Sequence, residues 1–211
     1  MVRKDIKEFI QTIPQNVTIV AATKYVGVDE MLVLKENGIT NFGENRVDSF
    51  LKKYEALSLY QDIKWHFIGH LQRNKAKQVV NKIDCLHSLD SVELAKKIDE
   101  LRETPLDVFI EVSINLEENK NGVPYYEAKS FINSIKGFKH LNIVGLMMMA
   151  IKNSEDVYQQ FAKLRLLRDS LEKECQIKLP YLSMGMSEDY LSAIKEGATH
   201  IRLGRILFDE L

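Results

Sequence analysis

A lysine that directly follows a short apolar run is the first residue whose position suggests chemistry. Lys24 comes after residues 19–23, which are apolar up to the last member of the run. A lysine at the end of a buried strand loses hydration, which lowers the pKa of its amine and makes that amine nucleophilic. Such an amine can attack a carbonyl group and form a Schiff base. The alternative is a lysine whose ammonium group extends from the strand end into solvent.

The segment 183–187 carries a second chemical signal, because a glycine is followed closely by a serine. Gly185 frees the backbone to approach a ligand, and Ser187 is expected to open a helix, where its hydroxyl and the following amides can meet an anion. Gly204 ends the last predicted strand. In barrels of alternating strands and helices, the loops after the last two strands often bind phosphate. An ordinary helix cap beside a turn glycine is the alternative interpretation.

The remaining candidates have weaker patterns. From the sequence alone, an ion pair with an acidic residue is the favoured role for Arg202. His66 and His70 are four residues apart but lie on a predicted strand and its loop, so they would not share a helical face as a metal pair would. Cys85 and Cys175 are far apart and form no C-x-x-C pattern. Neither a disulfide nor a zinc site is therefore expected, and no metal ligand is predicted.

Short β-branched runs alternate along the chain with longer charged stretches of helical periodicity. In residues 157–171, for example, apolar side chains recur at spacings of three and four. The predicted strands are 17–22, 40–42, 63–68, 84–87, 107–112, 142–147, 181–184 and 200–203. The predicted helices lie near 3–12, 28–37, 46–57, 72–82, 91–103, 124–136, 154–174 and 187–196.

Eight strands alternating with helices are typical of two architectures, a closed (β/α)8 barrel and an open doubly wound sheet. The strand count favours the barrel, as do strands that are apolar on both faces, such as residues 108–110. The helix near 3–12 is expected to take the place of the missing helix after the last strand. We therefore predict an α/β fold, a single TIM-type barrel domain over residues 1–211 with an additional N-terminal helix. The functional residues should follow the carboxyl ends of its strands.

Composition excludes several classes of function. The 211 residues are 45% hydrophobic and 28% charged, and the formal net charge of -1 predicts no strong attraction to nucleic acid or to an anionic membrane. The polar N-terminus lacks the apolar core of a signal peptide, and no apolar run approaches the roughly 18 residues that a membrane span needs. A cytoplasmic location is the expectation.

Six motifs give the chain a family resemblance. In order and in spacing they resemble the pyridoxal phosphate homeostasis proteins, also called the YggS or PROSC family, which are related to the N-terminal barrel of alanine racemases. The motifs are Ala22-Thr-Lys24-Tyr, Phe42-Gly-Glu-Asn-Arg46, Trp65-His-Phe-Ile-Gly-His-Leu-Gln72 with Asn74-Lys75, Gly145-Leu-Met147, Leu182-Ser-Met-Gly-Met-Ser187 and Ile201-Arg-Leu-Gly204.

The resemblance implies a binding site for pyridoxal 5'-phosphate (PLP), with Lys24 as the lysine that forms the Schiff base. It implies that Ser187, with backbone amides around Gly204 and Arg205, holds the phosphate, and that Arg202 faces the pyridine nitrogen. Arg205 departs from the family pattern, because many relatives have a small hydroxyl residue there; this puts a side-chain phosphate contact in doubt but leaves the amide. Three further positions match residues that line the cofactor: Asn45, Met147 and Ser183.

The same resemblance implies a monomer that holds PLP and transfers or buffers it, with amino acids or PLP-dependent apo-enzymes as acceptors. A non-catalytic role is expected for two reasons. The sequence ends at Leu211, after the phosphate loop, without the second domain that supplies a catalytic tyrosine in alanine racemases. A neutral pyridine facing Arg202 is also a poorer electron sink. The alternatives are a PLP-dependent amino-acid racemase and a phosphate-binding barrel enzyme that does not use PLP.

Overall fold

Eight parallel strands form a closed barrel in the computed structural model, which describes residues 1–115, 121–151 and 157–209. The ring runs β1-β2-β3-β4-β5-β7-β8-β9 and closes where β9 pairs with β1. Each of the eight strands therefore has two neighbours, which excludes the open doubly wound sheet. The strands are β1 (Thr18–Ala22), β2 (Asn41–Glu44), β3 (Lys64–Phe67), β4 (Cys85–Leu89), β5 (Leu106–Ser113), the short β6 (Val123–Pro124) beside β5, β7 (Leu141–Met147), β8 (Tyr181–Ser183) and β9 (His200–Leu203).

Helices follow the strands and surround the ring, as the alternating pattern predicts. α1 stands in for a helix after β9, because residues just before it join the chain end: Arg3 N–H donates to the Leu207 carbonyl and Val2 bridges Phe208. In the described ranges no helix is long and apolar enough to span a bilayer. The helices are α1 (Ile6–Gln11), α2 (Val28–Glu36), α3 (Val47–Ala56), α4 (Ala76–Val79), α5 (Val92–Leu101), α6 (Ala128–Ile135), α7 (Val157–Cys175) and α8 (Tyr190–Lys195).

Some boundaries differ from the prediction, and local chemistry explains two of them. The helix predicted near 72–82 is a 3-10 turn followed by the short α4, which ends before Val80 and Asn81, two residues of low helix propensity. The helix predicted near 187–196 begins only at Tyr190, because Asp189 Oδ1 accepts from Met186 N–H at 2.6 Å and closes a turn there. The predicted helix start at 154–156 lies outside the described residues, and β6 was not predicted.

The inside and the outside of the barrel wall have different chemistry. Between strands and helices the core is apolar, and Phe42, Phe50 and Leu86 are fully buried there. The interior is not filled only by the bulky aliphatic residues that are usual in such barrels. His87 on β4 and Ser183 on β8, on opposite sides of the ring, are joined by a hydrogen bond that crosses the interior. Polar side chains therefore occupy the centre of this barrel.

Candidate functional site

The residues predicted for the site lie around the carboxyl ends of the barrel strands. Met147, Ser183 and Arg202 belong to β7, β8 and β9, whereas Lys24 and Asn45 follow β1 and β2. Because all eight barrel strands are parallel, these ends meet at one mouth. Ser187, Gly204 and Arg205 lie in the loops after β8 and β9 at the same mouth.

Lys24 is exposed at this mouth rather than desolvated. Its Nζ lies 4.7 Å from the centre of the Tyr25 ring, and that ring is itself 68% exposed. The expectation that burial at the strand end would activate this amine is therefore wrong. The buried residue at this position is Thr23, one residue earlier, which ends the apolar run inside the protein. The position of Lys24 leaves its amine accessible from solvent.

A buried ion pair fixes the backbone just before Lys24. Glu44 is fully buried, and its Oε1 lies 2.5 Å from Lys53 Nζ on α3 and 2.5 Å from Thr23 Oγ1. The same ammonium donates to the Thr23 carbonyl at 2.6 Å, and Ser49 donates to Glu44 Oε2 at 2.9 Å. Every polar atom here has a partner, as burial requires. The network joins β1, β2 and α3 at the base of Lys24.

Two loops converge on the Ser187 hydroxyl. Its Oγ accepts from Gly204 N–H at 3.2 Å and from Ile206 N–H at 3.4 Å, at the start of the 3-10 turn Arg205–Leu207. Contrary to the prediction, Ser187 is therefore not the cap of α8. It faces the loop after β9. Gly185 makes the bend that allows this: it has φ of +93°, and a Cβ there would lie 2.6 Å from Ala193 Cβ. Two backbone N–H donors thus point at one oxygen, as the donors of an anion site do.

The Arg202 guanidinium is buried and has no carboxylate partner among the described residues, so the ion pair favoured by the sequence is not formed there. It donates to Ser183 Oγ at 2.6 Å and to the Met148 carbonyl at 2.8 Å, which occupies two of its five N–H donors. Burial lowers its pKa to about 10, and the carboxylates of Glu111 and Asp189 counteract this shift. Arg202 is therefore a fixed cation at neutral pH.

A line of hydrogen bonds continues from Arg202 through the barrel interior. Ser183 accepts from Arg202, so its own proton can go to His87 Nδ1 at 2.8 Å. His87 Nε2–H then donates to His66 Nδ1 at 2.9 Å, and His66 Nε2–H donates to Asn41 Oδ1 at 3.0 Å. This assignment of tautomers leaves both rings neutral. Burial favours the same state, because it lowers the pKa of His66 to about 3 and that of His87 well below its usual value.

Two further predicted residues differ in their surroundings. Asn45 Oδ1 is buried without a hydrogen-bond partner among the described residues, an arrangement that a bound ligand can complete. Gly69 makes room for Asn45, since a Cβ on Gly69 would lie 2.5 Å from the Asn45 carbonyl oxygen. Met147 is 1% exposed and contributes apolar surface inside the barrel. Both positions are compatible with the lining of a pocket.

The side chain of Arg205 turns away from the Ser187 hydroxyl. Its guanidinium forms an ion pair with the Glu188 carboxylate, and both side chains are more than half exposed. The doubt raised by the sequence about a side-chain contact at this position is consistent with that geometry. The backbone of Arg205 stays between Gly204 and Ile206, whose N–H groups face Ser187.

Glu111, a buried carboxyl on β5 near the mouth, is not among the residues predicted from the sequence. Burial raises its pKa to about 7, and the charge of Asp90 adds to the effect while Arg202 opposes it. Glu111 is two residues from Phe109, which lies in the barrel interior, and residues two apart on a strand share a face. This spacing was the signal that could have identified Glu111. The polar line through His66 and His87 was also missed, because its members come from strands far apart in sequence.

Replacing Glu111 with glutamine should change how stability depends on pH. The folded protein binds the Glu111 proton more tightly than the unfolded chain does, so stability falls as the pH rises from about 4.5 to about 7 and stays lower above that range. Glu111→Gln should remove this loss and be more stable than the parent at pH 8 by about 2 kcal/mol. Urea unfolding between pH 5 and pH 8 measures the difference. The exposed Glu36→Gln serves as control; equal slopes for both variants would contradict the prediction.

Known proteins share this architecture over the whole chain. The family described as alanine racemase, N-terminal domain, matches residues 2–210. The pyridoxal phosphate homeostasis protein of Aquifex aeolicus is 42% identical over 197 residues, covering 91% of this chain and 86% of the relative. That of Synechocystis sp. is 39% identical over 209 residues, covering 96% and 95%.

Solved structures agree with these matches. PipY of Synechococcus elongatus PCC7942, solved with PLP bound, is 29% identical with a TM-score of 0.89 and covers 97% of this chain and 100% of its own. The same protein without PLP has a TM-score of 0.93 over 99% and 100%. Two structures of alanine racemase of Clostridium difficile 630 are 12% identical, with a TM-score of 0.82 over 100% of this chain and 58% and 61% of those chains. This similarity shows the fold alone.

Proposed function

Because the chain belongs to the alanine racemase N-terminal domain family and, within it, to the pyridoxal phosphate homeostasis proteins, we propose that it binds PLP at the mouth of its barrel and holds it for transfer or buffering. The binding unit we propose is one domain over the whole chain. The observation that carries the proposal is the convergence of the Ser187 hydroxyl with the N–H groups of Gly204 and Ile206. A relative of the same family, PipY, was solved with PLP bound.

The residues at the mouth fit the chemical groups of PLP. The donors that now point at Ser187 Oγ are of the kind that a phosphate oxygen accepts. Arg202 offers a fixed positive charge and further N–H donors to an acceptor such as a pyridine nitrogen. The unpartnered Asn45 Oδ1 and the apolar Met147 would complete the lining, and Ser183 would act by holding Arg202.

We propose Lys24 as the residue that holds PLP covalently. When bound, PLP supplies an aldehyde that condenses reversibly with a lysine amine to a Schiff base. The Glu44–Lys53 network holds the Thr23 backbone and so fixes where Lys24 starts. The exposure of Lys24 suits a protein that hands over its cargo, because an incoming amine can reach the same bond. Free amino acids and lysines of apo-enzymes belong to this class of acceptor.

We propose that the chain is a carrier rather than a catalyst. Arg202 cannot accept a proton and stays charged at neutral pH, so a pyridine nitrogen facing it remains unprotonated and withdraws electrons less strongly. The protein is expected to form D-alanine from L-alanine no faster than free PLP does. A clear excess over free PLP that depends on Lys24 would favour the racemase instead.

The direct test is a titration of the untagged chain with PLP, followed by visible absorption, borohydride reduction and peptide mapping. We expect saturation at one PLP per chain and a reduced adduct on the peptide that contains Lys24. PLP-loaded protein should then restore activity to a PLP-dependent apo-enzyme. A chain that gives no borohydride-stable adduct at saturating PLP would contradict the proposed function.

Ser187→Ala should weaken the binding of PLP about tenfold or more. The substitution removes one hydrogen bond between the serine hydroxyl and a charged ligand, which is worth roughly 1.5–3 kcal/mol. Binding of pyridoxal, which lacks the phosphate, should be the same in variant and parent. The matched control is Ser130→Ala on the exposed face of α6. An equal loss for PLP and pyridoxal would show that Ser187 acts on the fold of the mouth and not on the phosphate.

A further inference from the structure

Three metal-ligating side chains lie together near the amino-terminal end of the barrel interior, away from the mouth. His66 on β3, Cys85 on β4 and His87 on β4 are all buried, and one ligand atom of each lies within 4.8 Å of the other two. The strand register creates the cluster, because His66 and Cys85 are paired residues of neighbouring strands and His87 is two residues further along β4. Alternation along β4 places Cys85 and His87 on the same face.

We propose that His66, Cys85 and His87 form a binding site for a zinc ion. The inference does not rest on the proposed PLP site, although the hydrogen bond between His87 and Ser183 joins the two sites inside the barrel. Two imidazole nitrogens and one thiolate are a ligand set that zinc takes, with a fourth position left for water. The Cys85 thiol would lose its proton to solvent as the Zn–S bond forms, and His87 would give up its Nε2 proton and take one up on Nδ1 by exchange with solvent. His87 would carry its ring proton on Nδ1, facing Ser183 Oγ, and would offer Nε2 to the metal.

Zinc binding would separate the two nitrogens slightly and bring Cys85 Sγ, which lies within 4.8 Å of both, closer by up to about an ångström. Around tetrahedral zinc with Zn–N of about 2.0–2.1 Å and Zn–S of about 2.3 Å, ligand atoms lie roughly 3.3–3.6 Å apart. The two facing nitrogens, His66 Nδ1 and His87 Nε2, are now 2.9 Å apart because they share a hydrogen bond. Zinc would take the place of that proton after an opening of a few tenths of an ångström.

The outer partners of both rings suit the same role. His66 Nε2 faces Asn41 Oδ1 at 3.0 Å, and His87 Nδ1 faces Ser183 Oγ at 2.8 Å. Metal-binding histidines usually donate their second ring N–H to an oxygen of this kind, which fixes the tautomer and the ring orientation. Each ring therefore has one nitrogen held by an oxygen and one turned toward the cluster.

An entry path leads to the cluster from the amino-terminal end of the barrel. A cavity of about 400 Å³ opens there between the first residues of several strands. Both His66 and Cys85 line it, and so does His200 on β9. Two carboxylates, Asp84 and Asp107, and two cations, Lys64 and Arg102, stand on its wall, so their charges balance. The cavity is also large enough to hold the water molecule that would complete the zinc coordination.

The test is equilibrium dialysis of the untagged chain, as purified, against Zn2+ in the presence of a competing chelator, with metal content read by atomic emission. Wild type and Cys175→Ala, which alters the other buried cysteine, should each bind one zinc per chain. Cys85→Ala should bind about 100-fold more weakly or worse, since loss of an outer partner alone costs about 10- to 100-fold. Asn41→Ala should show that smaller, outer-partner loss. Circular dichroism of each variant establishes that it is folded.

The coordination shell gives a second readout that does not depend on any variant. X-ray absorption at the zinc edge of the wild-type protein should show one sulfur at about 2.3 Å and two nitrogens at about 2.0–2.1 Å. A wild type that binds no zinc at one per chain would overturn the proposal. So would a shell without sulfur, or a folded Cys85→Ala that binds as tightly as Cys175→Ala.

Discussion

Replacing Lys24 with alanine is expected to abolish the borohydride-stable attachment of PLP. Lys24 lies at the barrel mouth two residues after the end of β1, and its side chain is exposed to solvent. The N–H donors around Ser187, which we propose as the phosphate site, remain in the variant, so PLP should still bind, but reversibly and without a reduced adduct. Mass spectrometry after reduction and dialysis measures the difference directly, as one adduct per chain in the parent and none in the variant.

Two controls separate the amine from the charge. Lys24→Arg keeps a cation over the Tyr25 ring but lacks a primary amine, so it should also lose the adduct. Lys97→Ala, on the outer surface at α5, should keep it. A stoichiometric adduct on another lysine in Lys24→Ala would mean that the anchoring residue is misassigned, even if the barrel binds PLP.

Lys53→Met is expected to destabilise the protein by about 3–5 kcal/mol, the largest stability effect that we predict. The substitution leaves the fully buried Glu44 carboxylate without its cation, and removing one partner of a buried ion pair typically costs this much. The hydrogen bonds from Thr23 and Ser49 remain, but they cannot replace a positive charge. Urea unfolding at pH 7 gives the free-energy difference.

A double variant identifies the cause of that loss. Glu44→Gln combined with Lys53→Met removes both charges. The glutamine oxygen can still accept from Thr23 and its amide N–H can donate to Ser49 Oγ, so much of the stability should return. The exposed pair of Lys97 and Glu100 provides the matched comparison, since Lys97→Met should cost about 0.5 kcal/mol or less. If Lys53→Met were as harmless as Lys97→Met, the buried pair would not hold the end of β1.

The sequence predicts the barrel well because its signals are local. Alternation of β-branched runs with helical stretches locates eight strands. Three glycines, Gly38, Gly137 and Gly197, are predicted to follow helix ends; Gly38 and Gly197 have φ of +93° and +86°, whereas Gly137 has no positive φ. The mouth residues follow from the strand ends, since a barrel brings those ends together. Lys24 and Ser187 were found in this way, and the family resemblance supports their assigned roles.

What the sequence could not predict depends on contacts across the ring. His87 and Ser183 are 96 positions apart and meet only because β4 and β8 face each other through the interior. The prediction that Lys24 is desolvated was wrong because burial ends at Thr23. The sequence pattern does not locate that boundary to within one residue. The prediction that Ser187 caps the helix was wrong because the Asp189 carboxylate accepts from Met186 N–H and closes a turn before the helix. Ser187 faces the loop after β9 instead.

The polar line inside the barrel also constrains how the strands can align as the protein folds. Side chains alternate between the two faces of a strand, so a slip of β4 by one position would turn His87 outward into the apolar layer beneath the helices. The same slip would leave Ser183 and His66 each without their shared partner. A purely aliphatic interior would tolerate such a shift more easily. The hydrogen bonds of His87 thus favour the native register of β4 over a shifted one as the barrel forms.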